Sequence, residues 1–226
     1  MGVTAWSPSR YGLYEECPRK FKYKIVDKLP EEEGPALARG TEIHGQIEDY
    51  IAGRTNKKPE IHVDILEWIE WLKAEYRERV VKVEMQLALT KKWALTKWFA
   101  ADCWLRVKID AYHSREDVGA TAIDWKTGKH SAEKTLLYND ALDIYATVIL
   151  SLGLDDAVVS HLVFTDAGIV VPPNGYIVIK EELEDRQKYW ERKVHSMMTD
   201  TLYAPNPSFR CRYCSYSQNK GGPCEF

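Results

Sequence analysis

The residues whose types and spacing could do chemistry lie within 105–129, LRVKIDAYHSREDVGATAIDWKTGK. Two short alternating runs flank a polar, glycine-containing turn, which predicts a β-hairpin. In the first run Arg106, Lys108 and Asp110 share one face, and Leu105, Val107 and Ile109 share the other. In the second, Asp124 and Lys126 point one way while Ile123 and Trp125 point the other. With the apolar faces in the core, Asp110, Asp124 and Lys126 converge on the opposite surface. Carboxylates are hard oxygen ligands for divalent cations. A lysine beside them can orient water or offset charge on a phosphate. A lone D-x-K recurs on many solvated strands, so the surrounding elements must carry the case.

Those elements read as follows. Ser7 caps a helix with Pro8 at its first position, and Tyr11, Tyr14 and Cys17 follow three apart on one face. Residues 31–35 form an acidic Gly-Pro linker. Thr41 then caps a helix whose apolar stripe is Ile43, Ile47 and Ile51, with His44 and Glu48 one turn apart on a neighbouring face. Residues 61–79 form an amphipathic helix with Ile65, Trp68, Ile69 and Leu72 buried. Residues 81–89 alternate cleanly, which puts Glu84 on the polar side of a strand neighbouring Asp110. In 91–99, Trp93 and Trp98 stand among lysines; such residues either stack on single-stranded bases or pack onto the sheet. A helix from Ser131 to about residue 152 carries Tyr138, Leu142, Tyr145 and Ile149. Strands at 158–164 and 176–180 and a charged helix at 181–198 complete the chain.

Composition adds bounds. With 226 residues, 45% hydrophobic and 29% charged, the chain reads as one globular domain. Its expected core is 36–200, with ends at 1–30 and 201–226. The net charge of −3 leaves the partner open, because a local basic patch suffices for phosphate contacts. Such patches are Arg19, Lys20, Lys22 and Lys24; Lys91, Lys92 and Lys97; and Lys126, Lys129 and Lys134. The absence of an apolar run of 18 residues predicts no membrane partner. The first residues lack the apolar core of a signal peptide, so a cytoplasmic location is expected.

Five cysteines are present: Cys17, Cys103, Cys211, Cys214 and Cys224. The last three form C-x2-C and a third after nine residues, which in a cytosolic protein suggests metal rather than disulfide. Three thiolates need a fourth ligand to close a site. Cys17 is the natural choice, since Cys103 falls in the apolar face of a strand.

Several stretches together resemble the PD-(D/E)XK nuclease superfamily, in particular its RecB-like branch. Ile109-Asp110 and Asp124-Trp125-Lys126-Thr127-Gly128 match its aspartate and D/E-x-K-T-G elements. SPSRYGLYEECPRKFKY is similar to the branch's opening segment, and RGTEIHGQIE to its histidine-bearing helix. Leu142-Asp-Ile-Tyr145-Ala matches the latter part of a Q-L-x-x-Y-A motif, with Ala141 where glutamine is usual. The cysteine arrangement resembles the iron–sulfur subset, which includes AddB-type and CRISPR-associated exonucleases.

The resemblance implies an α/β fold: a restriction-endonuclease-like core with a central mixed β-sheet flanked by helices. It implies chain ends joined at a four-cysteine metal cluster. Asp110, Asp124, Lys126 and Tyr145 would be catalytic. His44, Glu84, Asp110, Asp124 and the main-chain carbonyl of Trp125 would hold Mg2+ or Mn2+. Cys17, Cys211, Cys214 and Cys224 would hold a 4Fe-4S cluster or, alternatively, structural Zn2+. The implied activity is a metal-dependent DNA exonuclease acting on single-stranded or end-exposed DNA, in phage or microbial DNA processing or recombination. A recombination or helicase protein is among the partners the resemblance allows, and with no G-x-x-x-x-G-K-[ST] loop the chain itself is not expected to use ATP. The alternative is a catalytically weak, cluster-stapled DNA-binding protein on the same fold.

Overall fold

The structure is a computed structural model and describes residues 3–31, 34–116 and 119–226. Glu32 and Glu33 of the expected linker, two residues of the hairpin turn and the Lys134 side chain lie outside the described residues. In chain order the elements are α1 (Pro8–Glu16), α2 (Pro18–Phe21), α3 (Pro35–Ile51), α4 (Val63–Arg77), β1 (Val81–Leu89), β2 (Leu95–Thr96), β3 (Leu105–Arg115), β4 (Gly119–Lys126), α5 (Ala132–Ser151), β5 (Ala157–Phe164), β6 (Ile169–Ile179) and α6 (Leu183–Thr199). Short 3-10 turns at Phe209–Tyr213 and Gln218–Lys220 follow. No helix among the described residues is long and apolar enough to cross a membrane.

The six strands form one mixed sheet in the order β2-β1-β3-β4-β5-β6. β4 and β5 run parallel, joined through α5, and the other neighbours are antiparallel. The stripe Ile43, Ile47 and Ile51 of α3 packs with Ile65, Ile69 and Leu72 of α4 onto Val81, Ala111, Ile123 and Trp125. Each fully buried aliphatic contributes roughly 1.5–3 kcal/mol, enough to fix the roll of α3 on the sheet. The opposite face is covered by α1, α5 and α6 through Tyr11, Ile144, Val148 and Trp190. Because both faces are covered, residues 109–113 are all buried, and the alternation read from the sequence stops at Ile109.

Several local expectations change. α3 begins at Pro35 behind Gly34, so Thr41 is not a cap; its hydroxyl donates back to the Leu37 carbonyl at 3.2 Å. α1 starts as expected, with the Ser7 hydroxyl accepting from the Arg10 N–H at 3.3 Å. It stops at Glu16, because a residue before proline disfavours helix. Cys17 is extended (φ −163°, ψ 110°) and leaves the face of Tyr11 and Tyr14. In β1, Glu84 has φ 52° and breaks the alternation: Val81 packs under α3 and α4, Met85 and Leu89 on the other face. β6 runs from Ile169 through Pro172 and Pro173, seven residues earlier than the sequence indicates, since an edge strand tolerates proline. Cys103 sits in the turn before β3, buried against Ala5 and Ala88.

The chain ends meet through ordinary protein contacts. The Tyr14 hydroxyl donates to Asp200 at 2.8 Å, Tyr23 to the Pro223 carbonyl at 3.3 Å, and Tyr216 to the Leu29 carbonyl at 3.2 Å. Phe21 stacks on Tyr203 with centroids 6.2 Å apart. Gly222 permits a close turn, because a Cβ there would stand 2.3 Å from the Tyr216 carbonyl.

Candidate active site and metal centre

Three adjacent strands, β1, β3 and β4, and two helices, α3 and α5, supply the candidate residues. The β1–β3 register pairs Val83 with Ala111 and Met85 with Ile109, which brings Glu84 opposite Asp110. Its left-handed φ, which costs a non-glycine residue about 1–3 kcal/mol, is held at this point of the sheet. From α3, His44 Nδ1 comes within 3.5 Å of Asp110 Oδ1. The other oxygen of Asp110 accepts from the Trp125 N–H at 2.8 Å. His44, Glu84 and Asp110 each offer a ligand atom, and the three atoms lie within 4.8 Å of one another. Lys108 forms an ion pair with Glu84 from the neighbouring strand.

Asp124 stands beside this group without joining its 4.8 Å triangle. Its side chain is nearly covered, and Lys126 Nζ lies 2.5 Å from Oδ2 as an ion pair. Among the described residues no hydrogen bond of good geometry reaches that oxygen. The two carboxylates are 8% and 4% exposed, so they converge inside the fold rather than on an open surface. Trp125 contributes its N–H to Asp110, and its indole belongs to the core.

Burial sets the electrostatics. It pushes the Asp124 carboxyl up to about 6, with the Asp110 charge adding to the rise and Lys126 opposing it. Burial also acts to raise Asp110, but the hydrogen bond and charge of His44, with Lys126 and the Trp125 N–H, hold it below its ordinary value. For His44 the burial penalty is outweighed by the bond to Asp110, so its pKa rises. Lys126 likewise stays cationic against burial because Asp124 and Asp110 face it. Its ammonium lies 4.6 Å from the Tyr138 ring. Tyr145 on α5 is buried, and its hydroxyl is kept protonated by burial and then by Asp124 and Asp110. A divalent cation fits this donor set: an imidazole, converging carboxylates, and a buried carboxylate oxygen lacking a hydrogen bond.

A clamp the sequence did not reveal holds the loop after β4. Gly128, at φ 83°, donates its N–H to Asp166 at 2.7 Å, and Arg39 of α3 binds the same carboxylate at 2.8 Å. Arg39's hydrogen bond keeps Asp166 below its ordinary pKa. The Thr165 N–H donates to the Lys126 carbonyl at 2.9 Å. Arg39 lay inside the Arg-Gly-Thr motif without an assigned role. Asp166 carried no sequence signal, standing in a turn 38 positions beyond Gly128.

The cysteines behave differently. Cys17, Cys211, Cys214 and Cys224 line one cavity. Among the described residues no three of their sulfurs lie within 4.8 Å of one another, so the closed four-cysteine site expected from the sequence is not formed. The Asn206 N–H points at the Cys17 sulfur at 3.5 Å, and the Ser208 N–H at that of Cys211 at 3.4 Å. The nearby basic group is largely neutralised, since Lys20, Lys22 and Lys24 pair with Glu16, Asp27 and Glu31. Trp93 is a packing residue, buried edge-to-face against Trp104 and bonded to Glu191 at 2.9 Å.

A buried carboxylate pair with an adjoining lysine thus stands on a mixed sheet between helices. The family model described as the PD-(D/E)XK nuclease superfamily matches residues 5–218, and the chain belongs to that superfamily. No curated protein matches the sequence. Among solved structures, one titled "Crystal structure of SSO0001" is 13% identical over 100% of this chain and 88% of its own, with a TM-score of 0.48.

Proposed function

We propose that the chain is a metal-dependent DNA exonuclease of the RecB-like branch, working as a single nuclease domain. The observation that carries this reading is the meeting of His44, Glu84 and Asp110 beside the buried Asp124–Lys126 pair. His44, Glu84, Asp110 and Asp124 would hold Mg2+ or Mn2+, with the Trp125 carbonyl as a further oxygen. Such ions supply an activated water and charge stabilisation for the leaving oxygen. Lys126 keeps its proton because of Asp124 and so presents a fixed cation to phosphate charge. The Tyr145 hydroxyl stays a donor because burial, and then the charges of Asp124 and Asp110, keep it protonated. The test is release of nucleotides from end-labelled linear DNA and from a circle, in Mg2+ and in Mn2+. We expect metal-dependent release from ends and none from the circle. No hydrolysis of either substrate would leave a DNA-binding protein on a nuclease fold.

On the same reading, Cys17, Cys211, Cys214 and Cys224, which line one cavity, would take a 4Fe-4S cluster joining the ends. Zinc–sulfur bonds of about 2.3 Å place tetrahedral thiolates roughly 3.8 Å apart, closer than these sulfurs stand as a set. N–H groups aimed at two sulfurs favour thiolate ligation. Anaerobically purified protein should be brown with about four irons per chain; one zinc and no colour would reject the cluster.

A further inference from the structure

Two clefts open beside the buried carboxylates. The first, about 300 Å³, is bounded by Ser9, Arg10, Trp98, Arg106 and Lys108 and reaches Tyr145. The second, about 690 Å³, passes Ser9 and Tyr145 on the way to Lys126, Tyr138, Ala141 and Arg210. Pro8, Ser9 and Tyr145 line both, so the clefts meet at the first turn of α1. Asp110 and Asp124 are nearly covered, and Tyr145 and Lys126, which neighbour them, line the clefts.

The first cleft carries charge that the rest of the protein does not neutralise. Among the described residues neither Arg10 nor Arg106 has a carboxylate within ion-pair distance. Each spends one donor on a carbonyl: Arg10 on Ala5 at 2.7 Å, Arg106 on Trp98 at 2.8 Å. A guanidinium has five donors, so most remain open to an anion. Burial, then repulsion from Arg106, lowers the Arg10 pKa, as expected for two like charges held together without a counter-ion. The Arg106 guanidinium also lies 5.7 Å from the Trp98 ring and 5.5 Å from the Phe99 ring. Phe99 is 86% exposed. An exposed ring with a cation stacked on it is a platform for an unpaired base.

We propose that Arg10, Arg106 and Phe99 form a single-strand subsite, in which the guanidinium groups hold backbone phosphates and Phe99 stacks an unpaired base. The strand continues past Lys108 to the carboxylates, since Arg106, Lys108 and Asp110 follow two residues apart along β3. The subsite selects single-stranded over duplex nucleic acid, and its role as a substrate track rests on the nuclease reading.

The experiment measures binding of a fluorescent oligo-dT and of a hairpin duplex of equal length, in EDTA, so that no hydrolysis is needed. Wild-type protein should prefer the single strand. Phe99→Ala should weaken single-strand binding about tenfold, and its exposure leaves the fold intact. Arg106→Ala should weaken it at least as much and reduce the salt slope by about 0.7, with Arg106→Lys recovering only part. Leu95→Ala, exposed on the same ribbon, should bind like wild type. Single-strand affinity within twofold of wild type in both Phe99→Ala and Arg106→Ala would overturn the subsite. So would an equal loss on duplex or in Leu95→Ala, or no measurable binding by wild type. Loss of binding in Phe99→Ala alongside a wild-type protein that hydrolyses nothing would instead remove the nuclease reading and keep the subsite.

Discussion

The carboxylate site and the joined chain ends both gather side chains distant in sequence, but they are held by different means. At the carboxylate site every contributor rides on a long element whose position the core sets. His44 sits next to the fully buried Ile43 on α3, and Asp110 and Asp124 stand in strands covered on both faces. The groups are thereby pressed together at an electrostatic cost, visible in the raised Asp124 carboxyl. At the ends, the cysteines sit at Cys17, where α1 stops, and in 3-10 turns and loops. They are half-buried, and their sulfurs remain spread around a cavity. Hydrogen bonds and stacked rings join the two ends in that region. A sheet can therefore impose convergence before a ligand arrives, whereas turns leave the last convergence to the ligand.

The largest effect should come from Asp110→Asn. The substituted side chain keeps an oxygen for the Trp125 N–H, so the fold should persist while hydrolysis falls by about a thousandfold or more. Rates within tenfold of wild type on labelled DNA would show that convergence on the sheet is not what drives the chemistry.

Cys17→Ser sharpens the other half of the comparison. It should remove the bound metal and lower Tm by several degrees, yet the protein should still fold and cleave DNA within a few-fold of wild type. Cys103→Ser should leave metal content unchanged and cost roughly 1–3 kcal/mol for burying a hydroxyl. Unfolded Cys17→Ser protein would mean that metal, not the tyrosine contacts, holds the ends.

A smaller effect is in pH. A carboxyl raised to about 6 is protonated below that value and ionised above it. A cation must displace that proton and the one His44 holds, whose pKa is raised by its bond to Asp110, so apparent metal affinity should begin to fall in the neutral range and fall most steeply below about pH 6. A metal titration unchanged from pH 7 to pH 5 would contradict the buried setting of Asp124. Smallest of all, Arg39→Ala frees one side of the Asp166 clamp. It should raise KM or lower kcat by about three- to tenfold, with Tm within a few degrees because the pair is half exposed. Wild-type kinetics would reduce the clamp to a surface ion pair.

The hairpin was legible because its information is local. Period-two alternation marked both runs as strands and paired Arg106 with Lys108 and Asp124 with Lys126, and both runs lie in strands, β3 and β4. The stripe Ile43, Ile47 and Ile51 and the Ser7-Pro8 helix start were legible for the same reason. The reading failed where a competing interaction acts across the fold. Proline after Cys17 ends α1, the edge position of β6 admits two prolines, and Glu84 takes a left-handed conformation that alternation alone would forbid.

The sequence by itself thus determined which groups share a strand face or a helix face, because side-chain direction repeats with the backbone every two or 3.6 residues. Only the tertiary structure decided that His44 is aimed at Asp110, that the carboxylates are covered on both sides, and that Asp166 ties α3 to the loop after β4. It also decided that Arg10 and Arg106 face one cleft without a counter-ion. Those relations depend on how the roll of a helix and the register of a sheet place residues tens of positions apart, and no local period encodes them.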